Sequence, residues 1–528
     1  MDMNFKDLTQ DQINYANKVY HDKSLTWDER MKILKEFFGK SERTVRYWCS
    51  KGLGFKEKPD VESEQYKKAK KKKLDKTKKR FLITWAQNNT PIHEGFLNNM
   101  KTYAKHIDAD IHVIAGRYKN PTSVFEDVEE EFWAEEIEQY LDANRHDIHK
   151  YLSVMSDVKI QPTATNPMSG LQGMSGINSC VFGSPKVQME MIPVLEGNIP
   201  KMMVSTGAVT LSNYTDSKSG KKGEFHHTLG FVIVEIKDKD TFFARQVTAH
   251  DKTGDFIDLC YKLENGKVTK IKEVEAIILG DLHYGDHDPE VLDTTFKFLK
   301  KIKPKHVVLH DVFNGSSINH HELKDPFVQY GKDVHGTNSL KKEIDGMIDG
   351  LKSFEGFENV VIVRSNHDDF VDRWLKNEDW KKQPSPKNAP EYMKYSAILL
   401  DQYAKDPSKV KGVIPAIINK TYPKFITLGR NDSYKVKNWE LGQHGDIGTN
   451  GSRGSLLQFR RLNTKVVVGH YHSPGRKDGA LAVGTSTDLR VGYNLGPSSW
   501  LQSHVIIHGD GKAQHLNFIN GEFTTFEF

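Results

Sequence analysis

Carboxylate, amide and imidazole side chains follow a series of short apolar segments in the second half of the chain. The first such segment, 274–279, is typical of a buried strand and ends at a glycine, an aspartate and a histidine. Four further segments have this form. The side chains that follow the five segments are Asp281, His283, Asp311, Asn366, His367, Asp368, His444, His470 and His472. Because groups at the carboxyl ends of neighbouring strands can converge on one cation, this ordered series predicts a metal site.

The ligand types limit the metal and indicate the chemistry. Aspartate, asparagine and histidine without a thiolate suit Mn²⁺, Fe²⁺ or Zn²⁺ and do not single out one of them. Two cations about 3.5–4 Å apart can share a hydroxide that attacks a phosphate in line, and both can neutralise charge on the phosphate oxygens.

The order of these blocks resembles the calcineurin-like metallophosphoesterase family over roughly the C-terminal half of the chain. The blocks that carry the resemblance are Gly280-Asp281-x-His283, Asp311 with Asn314-Gly315, Asn366-His367-Asp368, His444 and Gly469-His470-x-His472. The resemblance implies a four-layer α/β sandwich with two divalent metal ions per chain at the strand ends. It further implies that the first metal is held by Asp281, His283 and His472, the second by Asn366, His444 and His470, and that Asp311 bridges them. We expect Mn²⁺ ahead of Fe²⁺, Zn²⁺ and Mg²⁺.

His367 lies beside a predicted ligand but has no ligand's place in the family pattern. We therefore predict that it is the general acid that protonates the leaving oxygen, and that Asp368 orients or tunes it. The alternative is that His367 contacts the phosphate without transferring a proton. The family usually has Gly, Asp and Gly where this chain has His310, Asn314 and Ser365. These departures remove no expected ligand, but Asn314 lacks the charge that a carboxylate would supply around the site.

The first 56 residues have a helical pattern. Thr26 and Glu29 are spaced as a capping box, Gly39 is placed to end that helix, and Ser41 is placed to cap the next. With an earlier helix over about 11–20, the pattern predicts a helix-turn-helix DNA-binding unit over 1–56. A small helical protein-interaction domain is the alternative. The residues expected to contact DNA are Ser41, Arg43, Thr44, Arg46 and Lys51.

The segment 57–80 is predicted to be a lysine-rich linker. Between Lys67 and Arg80 it carries ten basic residues against one acidic residue, Asp75, which exceeds the net charge of +5 of the whole chain. The remainder of the chain is therefore net negative. A solvated, partly helical linker explains such a run, and it would also add salt-sensitive affinity for DNA.

The region 81–269 is predicted to be an α/β domain whose role the sequence does not reveal. Its apolar runs indicate strands near 81–85, 111–115, 201–206 and 231–236, and 94–107 indicates a helix. His226 and His227 are adjacent on a predicted strand, so they would face opposite ways and are not expected to share a metal. The remaining region, 270–528, is the predicted catalytic domain.

The bulk composition places the chain among multidomain globular proteins. Its 528 residues are too many for one ordinary core, and no apolar run approaches the ~20 residues of a membrane helix. Its three cysteines are widely separated, which argues against a disulfide framework or a thiolate zinc site. We expect a cytoplasmic protein with no membrane contact.

The predicted function is a metal-dependent DNase that hydrolyses phosphodiester bonds with a two-metal-bound hydroxide. DNA is the expected partner because the metal site shares the chain with a helix-turn-helix, the lysine-rich linker and Arg453, Arg460 and Arg461. This architecture resembles the nuclease subunits of double-strand-break repair complexes and the early DNases of large tailed phages, from which self-association is also an expectation. The alternatives are a phosphatase or small-molecule phosphodiesterase of the same family, and an inactive DNA-binding regulator.

Overall fold

The computed structural model describes residues 4–22, 24–55, 62–75, 77–118, 131–383, 386–492 and 494–527. The chain divides into two compact units, Met1–Glu64 and Gln65–Phe528. The domain boundaries given above stay predictions, and parts of the predicted linker, 57–61 and Lys76, lie outside the described residues. Among the helices of the described ranges, none combines the length and apolar character needed to cross a membrane.

The first unit is helical. Its α-helices are α1 (Gln10–Tyr20), α2 (Trp27–Phe38) and α3 (Glu42–Tyr47). The predicted capping box is present, since the Thr26 side chain accepts from the backbone N–H of Glu29 and the Glu29 side chain accepts from that of Thr26. Gly39 ends α2 in the left-handed conformation with φ 63°. Leu34, Phe38 and other buried side chains of the three helices form their common core.

The second unit begins with sheets from the region 65–270. Its elements there are α4 (Glu64–Ala69), β1 (Arg80–Gln87), α5 (Glu94–His106), β2 (Ala109–Gly116), α6 (Glu135–Glu138), β3 (Leu141–Asp142), β4 (Arg145–His149), β5 (Leu152–Met155), β6 (Ser179–Phe182), β7 (Met189–Ile192), β8 (Lys201–Ser205), α7 (Lys218–His226), β9 (Gly230–Ile236), β10 (Phe242–Thr248), β11 (Phe256–Asp258), β12 (Tyr261–Glu264) and β13 (Lys267–Lys270). Strands β10-β9-β1-β2-β3 form a five-stranded sheet, and β11-β12-β13 a smaller one.

One local expectation in this region is wrong. His226 is the last residue of helix α7 and His227 follows it, so the pair does not lie on a strand. Ser217 starts this helix by accepting a hydrogen bond from the backbone N–H of Gly220, and the strand β9 begins only at Gly230. The apolar run that predicted the strand is therefore correct, but it starts after the histidines.

The elements after residue 270 alternate between strands and helices. They are β14 (Ala276–Ile278), α8 (Pro289–Ile302), β15 (His306–His310), α9 (Pro326–His335), α10 (Leu340–Leu351), β16 (Asn359–Val363), α11 (Asp368–Asn377), α12 (Ala389–Lys405), α13 (Val413–Thr421), β17 (Ile426–Thr427), β18 (Lys435–Val436), β19 (Trp439–Glu440), α14 (Leu456–Phe459), β20 (Lys465–Val468), β21 (Gly475–Lys477), β22 (Ala480–Ala482), β23 (Ser503–Ile507) and β24 (Ala513–Asn517).

Two sheets of the second unit pack face to face. The six-stranded sheet has the order β17-β16-β15-β14-β23-β24, and the ten-stranded sheet has the order β18-β19-β20-β22-β21-β7-β8-β6-β5-β4. Val308 and Val361 of the first meet Val467 and Leu481 of the second in one core. The alternate side chains of the six-stranded sheet, such as Val307, pack against helices α8 and α10–α13. The mixed α/β class is thus confirmed, and the family-specific sandwich stays a prediction.

The ten-stranded sheet combines strands that are distant in the sequence. Strand β21 pairs antiparallel with β7 through Arg476 and Met189, which joins the strands β4–β8 to those after residue 435. The region 145–205 therefore shares a sheet with the segment that carries the last predicted ligands.

Candidate metal centre

The carboxyl ends of the parallel strands β14, β15 and β16 lie at one edge of the six-stranded sheet. Glycine allows the closest approach there, because a Cβ at Gly469 would lie 2.4 Å from Asp281 Oδ1. Several predicted ligands have left-handed backbone conformations, with positive φ at His283, Asp311, His470 and His472. Such conformations cost energy for residues other than glycine and are concentrated at functional sites.

Four predicted ligands form one buried group. The members of this group, Asp281, His283, Asp311 and His472, offer ligand atoms that all lie within 4.8 Å of one another. His472 Nε2 is 3.1 Å from Asp281 Oδ2 and 3.0 Å from His283 Nε2. His283 Nε2 is 3.5 Å from Asp311 Oδ2. Two imidazoles and two carboxylates thus face one small volume, as the ligands of a cation would.

The second group shares Asp311 with the first. Asp311, His444 and His470 offer atoms that also lie within 4.8 Å of one another. His444 Nε2 is 3.1 Å from Asp311 Oδ2. The amide oxygen of Asn366 is 3.1 Å from His444 Nε2 and 3.1 Å from His470 Nδ1. The structure therefore brings all seven predicted ligands together, with Asp311 between the two groups.

The electrostatics of the centre favour a bound cation. Burial alone would raise the pKa of Asp311, but His444, His367 and His283 hold that pKa well below its usual range. Burial lowers the pKa of His283 to about 3. Asp281 Oδ1 and both oxygens of Asp311 are buried and receive no hydrogen bond from the described residues. Such acceptors are costly unless a donor or a cation satisfies them, so the buried Asp/His clusters fit divalent metal ions.

The surroundings of His367 fix its orientation. Its Nδ1–H donates to the backbone carbonyl of Asn314 over 2.5 Å, and its ring stacks on Phe370 with centroids 4.6 Å apart. The carboxylate of Asp368 accepts from the backbone N–H of Ser365, and no hydrogen bond to His367 is found among the described residues. Burial raises the pKa of Asp368 to about 7. His367 is thus oriented by Asn314 and Phe370, a role that the sequence pattern did not indicate for either residue.

Two further groups support the ligands. Asn314, which stands where a carboxylate was expected, donates to Asp286 Oδ2 over 2.8 Å, so Asp286 supplies a charge near this position. Arg430 forms ion pairs with Asp369 at 2.6 Å and with Asp446 at 2.8 Å, which ties α11 to the loop after His444. Neither Asp286 nor Arg430 belongs to a recognisable motif, so only the three-dimensional arrangement reveals them.

Comparison with known proteins places this chain in a family. Protein A1 of Escherichia phage T5 is 32% identical to the chain over 475 residues, which cover 84% of this chain and 83% of that protein. The chain belongs to the Protein A1 family. No protein-family model matches the sequence. No solved structure matches it either.

A cleft of about 630 Å³ in this A1-family protein is lined by several of the clustered Asp and His side chains. Asp311, His367 and His470 lie at its base, and Trp500 and residues 453–456 contribute to its walls. Part of the wall comes from residues 189–191 on strand β7. The region whose role the sequence did not reveal therefore lines the approach to the predicted ligands.

The predicted DNA-contacting residues of the A1-family chain differ in their local roles. Ser41 and Thr44 are joined by a hydrogen bond of 2.9 Å at the start of α3, where Ser41 is the N-cap. Arg46 forms an ion pair with Glu42 and lies over the ring of Trp27 at 5.7 Å. Arg43 and Lys51 are exposed, and the ion pairs of the described ranges include neither of them.

Proposed function

We propose that this chain is a metal-dependent DNase. The single observation that carries the proposal is the double cluster around Asp311, whose buried carboxylate belongs to both groups of clustered side chains and is approached by imidazoles from both sides. When bound, two divalent cations there would activate water near neutral pH and neutralise negative charge on the phosphate oxygens. Asp311, common to both groups, would fix the separation of the two sites.

In the proposed reaction, His367 supplies the proton that the leaving group needs. Its Nδ1–H is held by the carbonyl of Asn314, so the protonated ring carries its second proton on Nε2. Hydrolysis forms a bond from the water oxygen to phosphorus and breaks the bond from phosphorus to the leaving oxygen. His367 Nε2 would donate its proton to that leaving oxygen.

DNA is the proposed substrate because cationic groups accompany the site on the same chain. The helical unit of residues 1–56 offers exposed Arg43 and Lys51, and the segment 67–80 concentrates positive charge. Sequence-independent attraction to phosphates follows from such charge. A phosphatase or small-molecule phosphodiesterase is the second candidate, which the modest volume of the cleft, about 630 Å³, favours.

The test uses the full-length protein with linear and circular duplex DNA and single-stranded DNA, in the presence of Mn²⁺, Mg²⁺ or a chelator. We expect metal-dependent DNA cleavage, and a rate about 10²-fold lower in His367→Ala. His335→Ala is the matched control, because His335 is an exposed histidine outside the cleft lining.

Two outcomes would overturn the DNase assignment. Intact DNA together with turnover of a simple phosphodiester would make the small-substrate enzyme the correct function. Binding of DNA without hydrolysis of either substrate under any metal would indicate a DNA-binding regulator.

A further inference from the structure

An aromatic side chain stands beside the predicted ligands at the wall of the cleft. The ring of Trp500 packs edge to face against His472, with centroids 4.1 Å apart, and Trp500 also lines the cleft. It is only partly buried, although it is one of the largest side chains of the site. Stacking of a nucleic-acid base on an aromatic ring is favourable for every base because each base has a π-face.

The other walls are suited to a nucleoside rather than to a bare phosphate. The partly buried Leu456 contributes apolar surface to the cleft, and the buried side chains of Met189 and Met191 on β7 lie beneath the lining. Methionine is a flexible, polarisable side chain that adapts to planar and irregular ligands. A phosphate monoester of a small alcohol would leave this apolar surface in contact with water.

The two cationic side chains that line the cleft differ in their ion pairs with the described residues. Lys477 forms an ion pair with Glu190 at 2.8 Å. Arg453 is exposed at the cleft, and the ion pairs found within the described part of the chain do not include it. A guanidinium in that position can bind a phosphate through two parallel hydrogen bonds.

The size of the cleft limits what enters it. A volume of about 630 Å³ lies in the range of sites for one small organic ligand. A DNA duplex is far larger, since its major groove alone is about 12 Å wide. A base must therefore leave its pair before it can reach Trp500, at the cost of a few kcal/mol that single-stranded DNA does not incur.

We propose that the cleft binds one unpaired nucleotide of a DNA strand, with its base against Trp500, a neighbouring phosphate on Arg453 and the scissile phosphate at Asp311. This inference rests on the proposed DNase function and specifies its substrate as single-stranded DNA or frayed ends. It also gives the strand β7, and with it the region 81–269, a role in substrate binding.

The experiment measures cleavage of end-labelled single-stranded oligonucleotides with Mn²⁺, in which one abasic residue is moved along the strand. For the wild-type protein we expect kcat/KM to fall about tenfold at the bond beside the abasic residue. Trp500→Leu keeps a bulky side chain against His472 but offers no aromatic face. It should cleave the normal strand about tenfold more slowly and suffer no further loss from the abasic residue, whereas Trp500→Phe keeps the wild-type sensitivity.

A second arm compares the same strand alone and in a blunt duplex closed by hairpins, where we expect the duplex to be cleaved more slowly. Equal abasic penalties in wild type and Trp500→Leu, no penalty in wild type, or equal rates on strand and closed duplex would each overturn the inference while leaving a DNase. Absence of any metal-dependent DNA cleavage by the wild type would instead overturn the proposed function.

Discussion

Two buried clusters of charge in the second unit differ in how their polar atoms are satisfied. In the first, Arg245 donates two hydrogen bonds to Asp258, at 2.6 and 2.7 Å, and a third to Glu235. Tyr103 donates to the same Asp258 carboxylate. In the second cluster, the carboxylate of Asp311 lies among imidazoles but receives no hydrogen bond from the described residues.

The difference distinguishes a structural cluster from a functional one. The Arg245 cluster is closed, because Arg245 bonds both of its carboxylates and Gln514 and Thr524 add further bonds from the C-terminal segment. We call the Asp311 cluster open, because Asp281 Oδ1 and both Asp311 oxygens receive no hydrogen bond from the described residues, while the imidazoles around them complete a ligand set for a cation. A closed cluster has its charges satisfied within the folded protein. An open cluster needs a bound ligand to offset the free-energy cost of burying its carboxylates.

The largest effect should follow from removing the shared carboxylate. Asp311→Ala should lower DNA hydrolysis about 10³-fold, because each metal position loses a ligand and metal ions supply several kcal/mol of transition-state stabilisation. In the wild type, Mn²⁺ at about 100 times its Kd should add about 2.7 kcal/mol to the free energy of unfolding, and this gain should vanish in the variant. Hydrolysis rates and Tm with and without Mn²⁺ measure both effects.

The matched control for this variant is Asp345→Ala, which removes an exposed aspartate on α10. It should keep both the activity and the rise in Tm. An unchanged Mn²⁺-induced rise in Tm for Asp311→Ala would show that the open cluster is not the metal site.

The closed cluster should respond in the opposite way. Arg245→Met leaves the buried carboxylates of Asp258 and Glu235 without their cation, so we expect a loss of about 3–5 kcal/mol in the free energy of unfolding. Activity per folded molecule should stay at the wild-type level. Urea unfolding and specific activity at low temperature test this prediction. Lost activity at unchanged stability would show that the Arg245 cluster is functional and not structural.

Buried neutral histidines near the sheets should make stability depend on pH. His504 accepts from the backbone N–H of Gly280 and donates to Thr295, and burial lowers its pKa to about 3. Burial also lowers the pKa of His515, to about 4. Because the unfolded state takes up protons first, this stability is complete above a pH of about 6.5 and is lost as the pH falls towards 4.

We therefore expect the free energy of unfolding of the metal-free protein to fall by about 2–4 kcal/mol between pH 7 and pH 5. His504→Gln should reduce this slope, and His335→Gln, at an exposed position, should not. Identical slopes in all three proteins, measured by urea unfolding, would show that buried histidines do not cause the loss.

The sequence predicts the strands and the ligands of the open cluster because their signals are local. An apolar run followed at once by a polar side chain, as at Ile278 and Asp281, locates both the strand and the residue at its end. The caps at Thr26 and Ser41 are local in the same sense.

Features that depend on distant contacts were not predictable in this way. The pairing of Met189 with Arg476 joins residues that are far apart in the sequence, and no periodicity in either strand indicates its partner. The roles of Trp500 and Asn314 likewise arise only once the chain is folded, because one lines the cleft and the other acts through its backbone carbonyl. The closed cluster of Arg245, Asp258 and Glu235 gave no such signal, because its members come from different strands and follow no common pattern.

The smallest effect concerns the helical unit, where some basic side chains also form ion pairs and others do not. Arg46 is paired with Glu42, whereas Arg43 and Lys51 belong to none of the ion pairs between described residues. The double variant Arg43→Ala, Lys51→Ala should weaken DNA binding by less than about tenfold and reduce the salt dependence of log K by about one per lost phosphate contact.

The measurement is made on the full chain carrying Asp311→Ala, so that DNA stays intact while binding is titrated at several salt concentrations. Lys35→Ala, an exposed lysine on α2, is the control and should leave the salt dependence unchanged. If Lys35→Ala and the double variant had equal effects, the unit would attract DNA only through its overall charge. A helix-turn-helix that docks through α3 requires the two results to differ, because only residues facing the phosphates release counterions on binding.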